Sequence, residues 1–182
     1  MLKDVVWAED GTYKPNGNHQ PLEFFTAGLK NSTQFDLQLG YFNSAALSVL
    51  SYSFASFISN GGKMRMAINQ IVSENDKKAF EEGLSGNVKL DFPIDLTNLE
   101  ELKDTLDEYG LHFFKCLAYL IQEQRIELKI IKPKNEIGIA HTKCGQFSDN
   151  EMIVSFTGSA NFTLSGFFNN KEEIVISLSS SL

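Results

Sequence analysis

The sequence predicts an α/β domain built on a mixed, largely parallel β-sheet flanked by helices on both faces, and three observations carry that expectation. Segments with period-two alternation take turns with segments of helical period. The first two strand candidates are separated by one helix, and this βαβ order implies a parallel pair with the helix packed across it. Three further strand candidates crowd the C-terminal third on short connections, which implies meander or mixed pairing beside the parallel part. The 182 residues, 42% hydrophobic and 12% aromatic with 15 phenylalanines, suffice for one substantial core. A single domain over residues 1–182 is therefore expected, of a size that also fits an N-terminal module of a longer protein.

Taken in order, residues 1–21 are rich in turn formers (Gly11, Pro15, Asn16, Gly17, Asn18, Pro21) and read as an irregular arm or short strand before the first helix. "FDLQLGYF", residues 35–42, alternates like a half-buried strand. The next segment places Leu47, Leu50, Phe54, Phe57 and Ile58 on one helical stripe, which Gly61 and Gly62 end. "KMRMAIN" is the second strand. Ser73 with Asp76, and Thr97 with Glu100, look like helix starts, the second a capping box. Leu99, Leu102, Leu106 and Tyr109 form a stripe, Gly110 interrupts it, and Phe113, Phe114, Leu117, Leu120 and Ile121 form another. "RIELKIIK" is again a strand, closed by Pro133. "IAHTKCGQF", "MIVSFTG" and "EEIVISL" complete the chain.

Composition excludes several classes. The longest apolar runs are too short to span a bilayer, and the start "MLKDVVWAED" lacks the order of a signal peptide, so a soluble, cytoplasmic protein is expected. Cys116 and Cys144 make no disulfide framework and no CxxC pair, and both read as reduced residues of the interior. No His/Cys cluster has metal-ligand spacing, so neither a metal nor another cofactor is expected. The net charge of −7 argues against a surface that is basic all over. Residues 74–108 hold eleven acidic and four basic side chains, a net of −7 that accounts for the whole imbalance. Between Arg125 and Lys143 the balance reverses, with Lys129, Lys132 and Lys134 between them, and this basic segment is expected to face a phosphate backbone.

The chemistry-bearing stretch is "HTKCGQFSDNEMIVSFTGSAN", residues 141–161. If residues 139–147 are a strand, His141 and Lys143 point to one face and Thr142 and Cys144 to the other. Their α-carbons then lie roughly 6–7 Å apart, so an imidazole and an ammonium can reach one phosphate. The following strand delivers Gly158, Ser159 and Asn161 at its end, where a glycine permits close backbone approach and free amides can hold an anion.

This constellation resembles the phospholipase D superfamily, whose motif is HxK, then an acidic residue, then GSxN. "NGGKMRM" is similar to the family's strand before the site, "LGYFN" to its first core strand, and "NNKEEIVIS" to the Asn-x-Glu segment that closes the site. The run as a whole most resembles the nuclease-like module at the N-terminus of some bacterial helicase-type and restriction-type proteins. The family's acidic position falls on Ser148 here, with Asp149 one place later and a loop to Gly158 about three residues longer than usual.

The resemblance implies metal-independent two-step catalysis. His141 attacks phosphorus and forms a phosphohistidine while a second histidine protonates the leaving oxygen and later activates water. Lys143, Asn161 and Ser159 stabilise the equatorial oxygens, and Glu172 holds the imidazole in one tautomer. Gly158, Asp149, Lys132 and Lys134 are expected to contact the substrate. A complete site in this superfamily uses two HxK motifs and this chain has one, since neither His19 nor His112 repeats it. Half a site implies a homodimer with the two copies of His141 facing across a two-fold axis. The expected substrate is nucleic acid, DNA above all, with no membrane partner and with fused helicase or target-recognition domains as candidate neighbours. Two other readings stay open: a hydrolase of phospholipids or other phosphodiesters, and a nucleic-acid-binding module that has lost turnover.

Overall fold

A computed structural model of the chain describes residues 1–69, 72–92, 94–107, 110–131 and 142–181. The segment Gln34–Leu39 forms β2 because its alternation buries Phe35, Leu37 and Leu39 on one face and leaves Gln34, Asp36 and Gln38 on the other. Lys63–Asn69 (β3) and Ile126–Ile131 (β4) run parallel to it in sequence, joined by helical crossovers. Cys144–Ser148 (β5), Met152–Gly158 (β6) and Ile174–Ser180 (β7) form an antiparallel meander, and β5 joins the parallel part by pairing antiparallel with β2. The short β1, Thr12–Tyr13, pairs with β7. The sheet order is β1-β7-β6-β5-β2-β3-β4.

The α/β class and the mixed sheet are as expected. Parallel pairing is confined to β2, β3 and β4: a tight hairpin joins β5 to β6, and the longer segment 159–173 returns the chain antiparallel to β6. The described helices pack on one face of the sheet. On that face Phe35 stacks on Phe147 (ring centroids 4.3 Å apart), and Phe24 and Phe25 of α1 (Pro21–Asn31) meet Phe147 and Phe156 edge-on. Each fully buried phenylalanine contributes about 2–3 kcal/mol of transfer free energy. The opposite face carries the row Glu127–Arg65–Asp36–Gln146–Ser155–Ser177, a polar centre on which no described helix packs. Asp36 sits at its centre, where it accepts from Arg65, Gln34 and Gln146. Burial raises its pKa, but these donors together hold it below the usual carboxylate range.

The helical stripe after β2 is split into α2 (Ala45–Val49) and α3 (Ser51–Ser59). Hydrogen bonding continues through the break, from Leu50 N–H to Ala46 O at 3.2 Å and from Phe54 N–H to Leu50 O at 2.8 Å. All five residues of the stripe are buried. Gly61, at φ +85°, turns the chain out of α3 in a conformation that favours glycine. Between β3 and β4 lie α4 (Glu74–Ser85), α5 (Leu99–Asp107) and α6 (Leu111–Gln122). Ser73 caps α4 as expected, accepting from Asp76 N–H. At α5 the expected box of Thr97 and Glu100 gives way to Asn98, whose Oδ1 accepts from Glu101 N–H at 3.2 Å, because Thr97 is held by Asp95 in an Asx turn.

Candidate functional site

The ladder brings the motif segments to one end of the sheet. Cys144 pairs with Gln38 on one side and with Thr157 on the other. One position further, Gly158 N–H donates to Lys143 O at 3.0 Å, so Lys143 is held by the ladder although β5 begins after it. Gly158 in turn lies opposite Ile174 at the start of β7. A Cβ at Gly158 would collide with the carbonyl oxygen of Glu173, so this glycine serves the packing of β6 on the start of β7, and the amides of Gly158 and Ser159, expected to stand free for an anion, donate to backbone carbonyls instead. Ser159 closes the corner twice: its N–H donates to Glu173 O at 3.0 Å and its Oγ accepts from Glu173 N–H at 3.1 Å. Lys143, Gly158, Ser159 and the Glu172–Glu173 pair are therefore neighbours across three strands.

Asn161 follows two residues after Ser159, and its position is set from both sides. Its carbonyl accepts from Thr163 N–H at 2.9 Å, and α7 (Leu164–Phe168) packs so closely that a Cβ at Gly166 would strike it. On the other side Phe42, in the loop after β2, makes a parallel bridge with Phe162, and their rings lie stacked at 6.0 Å. The side-chain Oδ1 of Asn161 is buried and has no hydrogen-bond partner among the described residues. A buried carboxamide oxygen in that state costs free energy, which a bound donor would recover. Glu172 is half-buried and accepts from Asn170 Nδ2 at 3.2 Å, while Glu173 is turned to Lys14 at 3.0 Å.

Other expected residues lie elsewhere. Asp149 is at the far end of β5 from Lys143, roughly 20 Å along the strand. Its carboxylate accepts from the N–H groups of Leu2, Glu151 and Met152, each at 2.8 Å, so it ties the N-terminal arm to the β5–β6 hairpin. Partial burial raises its pKa, and the three backbone donors more than reverse this and bring it below the usual carboxylate range. Arg125, expected to face a phosphate backbone, instead donates to Gly62 O at 3.1 Å and to Ile58 O, capping the C-terminus of α3. Lys129 pairs with Glu127 on the open face at 3.0 Å. Cys144 is also on the open face, half-exposed in a groove beside Gln38 and Gln146, because alternation along β5 places it opposite Phe147's side. His141, Lys132 and Lys134 lie outside the described residues, as do Tyr109 and Pro133.

The structure adds residues that sequence reasoning did not connect with the site. The loop Gly40–Ser44 borders the same end of the sheet, and two buried side chains hold it. Asn69, at the end of β3, donates from Nδ2 to Gly40 O at 2.8 Å, and Asp76 accepts from Ser44 N–H at 3.4 Å. The available signal was a buried asparagine ending a strand and an acidic residue in a helix's first turn, and neither pattern is specific. Among the described residues no helix is long and apolar enough to cross a membrane, and no group of three His, Cys, Asp or Glu side chains is placed to hold a metal ion.

No family model matches the chain, and no curated protein matches it. Among solved structures it is similar to NucT from Helicobacter pylori, at 16% identity over 85% of this chain and 75% of that one, with a TM-score of 0.46. It is also similar to a phospholipase D family member, Nuc from Salmonella typhimurium, at 12% identity over 91% and 79% of the two chains, with a TM-score of 0.49. A third likeness is to yeast tyrosyl-DNA phosphodiesterase, at 14% identity and a TM-score of 0.46, covering 92% of this chain and 31% of that one. These are likenesses of fold at low identity, and the chemistry rests on this chain's own residues.

Proposed function

We propose that the chain is a metal-independent phosphodiesterase, most specifically a DNA endonuclease domain that works through a phosphohistidine in a site shared by two protomers. The observation that carries this reading is the convergence of Lys143, Gly158, Ser159 and Glu172 at one end of the sheet, with the unpartnered Asn161 Oδ1 two residues beyond. These are the residues of the HxK, GSxN and Asn-x-Glu segments. An ammonium and a carboxamide brought to one end of the sheet are suited to the charge that develops on the equatorial oxygens of a phosphodiester.

In the proposed reaction the imidazole of His141 attacks phosphorus and a P–N bond forms as the P–O bond to the leaving oxygen breaks. The second protomer's histidine gives that oxygen its proton. Water, deprotonated by the same histidine, then displaces the phosphohistidine and returns His141 to its starting state. Glu172 holds the His141 imidazole in the tautomer that leaves the attacking nitrogen free. Ser159 contributes through its latch on Glu173, which fixes the GSxN corner, and the substrate in this reading is nucleic acid. Plasmid nicking in EDTA tests the reading. Nicking by wild-type protein and none by Lys143→Ala is expected; nicking that requires added magnesium would point to other chemistry.

A further inference from the structure

The buried carboxylate of Asp76 has no place in the reaction above, yet it is 0% exposed and sits in a chain of contacts that ends at Asn161. Its Oδ2 accepts from Ser73 Oγ at 2.8 Å and from Ser44 N–H at 3.4 Å. Its Oδ1, and the equally buried Oγ of Ser44, have no hydrogen-bond partner among the described residues. A carboxylate buried with one oxygen unpartnered is a poor way to stabilise a helix start, since Ser73 already caps α4 without it. What it adds is a hold on Ser44, the last residue of the loop that follows β2. Asn69 holds the first residue of the same loop through Gly40 O. Between these two anchors, Phe42 forms its bridge with Phe162, and Asn43 N–H donates to Phe162 O at 3.4 Å. Phe162 is the neighbour of Asn161. The loop is thus a rigid strut between α4 and the GSxN corner, braced underneath by Phe80 of α4 against Phe42.

We propose that Asp76 is a positioning residue that sets the carboxamide of Asn161 through the Gly40–Ser44 loop and Phe162. The proposal rests on the phosphodiesterase reading for its catalytic consequence, though not for the coupling itself. Catalysis by fixed charges falls steeply when a group is displaced by an ångström, about a hundredfold. Asp76→Ala removes the hold on Ser44, and kcat is expected to fall about ten- to a hundredfold with KM changed less than threefold. Asp76→Asn keeps an acceptor for Ser44 N–H and restores most of kcat.

The experiment uses the full chain and two readouts. Steady-state cleavage of a bis-aryl phosphodiester gives kcat and KM for wild type, Asp76→Ala, Asp76→Asn and Ala79→Gly, the last a control that loosens α4 without touching the loop. The side-chain amide resonances of Asn161, assigned by their loss in Asn161→Asp, report its position whether or not the protein turns over. Movement of those resonances in Asp76→Ala, recovery in Asp76→Asn and none in Ala79→Gly is the expected result. Unmoved resonances in a folded Asp76→Ala overturn the proposal. If Asp76→Ala does not fold, the Asn variant and a Ser44→Pro variant, which deletes the same N–H, carry the test: resonances unmoved in a folded Ser44→Pro overturn it equally. Resonances that move in Asp76→Ala while wild-type protein shows no cleavage sustain the coupling and defeat the phosphodiesterase reading instead.

Discussion

Gly158 donates its amide to the carbonyl of Lys143 at 3.0 Å, and this bond joins the HxK strand to the GSxN corner. On its other side Gly158 leaves no room for a side chain beside Glu173. Gly158→Ala forces β6 and the start of β7 apart, at a cost of about 1–3 kcal/mol. The displacement falls on Lys143, Ser159 and Glu172 together, so cleavage per folded molecule is expected to drop at least tenfold. Urea unfolding and initial rates on the same preparation check both parts.

Asp149 is expected to matter for stability and not for catalysis. Asp149→Asn weakens the acceptor for the Leu2, Glu151 and Met152 amides and costs about 1–2 kcal/mol at neutral pH. The folded-state pKa is held low, so this stabilisation is fully present above the ordinary carboxylate value, about 3.9, and is lost as pH falls from there through the folded value. Unfolding free energies followed from pH 7 to pH 3 should therefore converge for wild type and variant on the acid side, with nicking activity equal at pH 7.

The two cysteines should report their environments. Cys116 is buried, and loss of solvent pushes its thiol up to about 12, whereas Cys144 is half-exposed on the open face. A disulfide reagent at pH 8 is expected to modify one thiol quickly and the second only after denaturant is added. Rapid modification of both would place Cys116 wrongly.

The shared site makes assembly testable. Wild-type protomers mixed with His141→Ala protomers under exchange conditions should form heterodimers that are inactive or stop at the covalent stage, so activity falls below the wild-type fraction. Activity in strict proportion to that fraction, or sedimentation of an active monomer, contradicts the shared site.

Strand periodicity made β2, β3 and the C-terminal meander readable, because each strand has one buried face whose alternation survives in the sequence. The same alternation does not say which face of the sheet the helices cover, so the expectation of an interior Cys144 rests on residue type alone. Arg125 and Asp149 were read by charge and neighbourhood in sequence. Both turned out to satisfy backbone groups distant along the chain, at the end of α3 and at Leu2, and such tertiary caps leave no local pattern. The nearness of Glu172 to the GSxN corner follows from the antiparallel pairing of β6 with β7, which sets Gly158 opposite Ile174. The strut from Asp76 to Phe162 was not legible, since it joins residues from β2, α4 and the segment after β6 that only the sheet order brings together.

The central claim is that His141 forms a covalent bond to phosphorus without a metal. Intact-protein and peptide mass spectrometry after a rapid alkaline quench, with an oligonucleotide substrate in EDTA, addresses it directly. The account predicts a nucleotidyl or phosphoryl adduct on the peptide containing His141, stable to alkali and labile to acid, and absent from His141→Ala, which should not cleave. Cleavage by a folded His141→Ala at the wild-type rate, with no adduct in either protein, would contradict it.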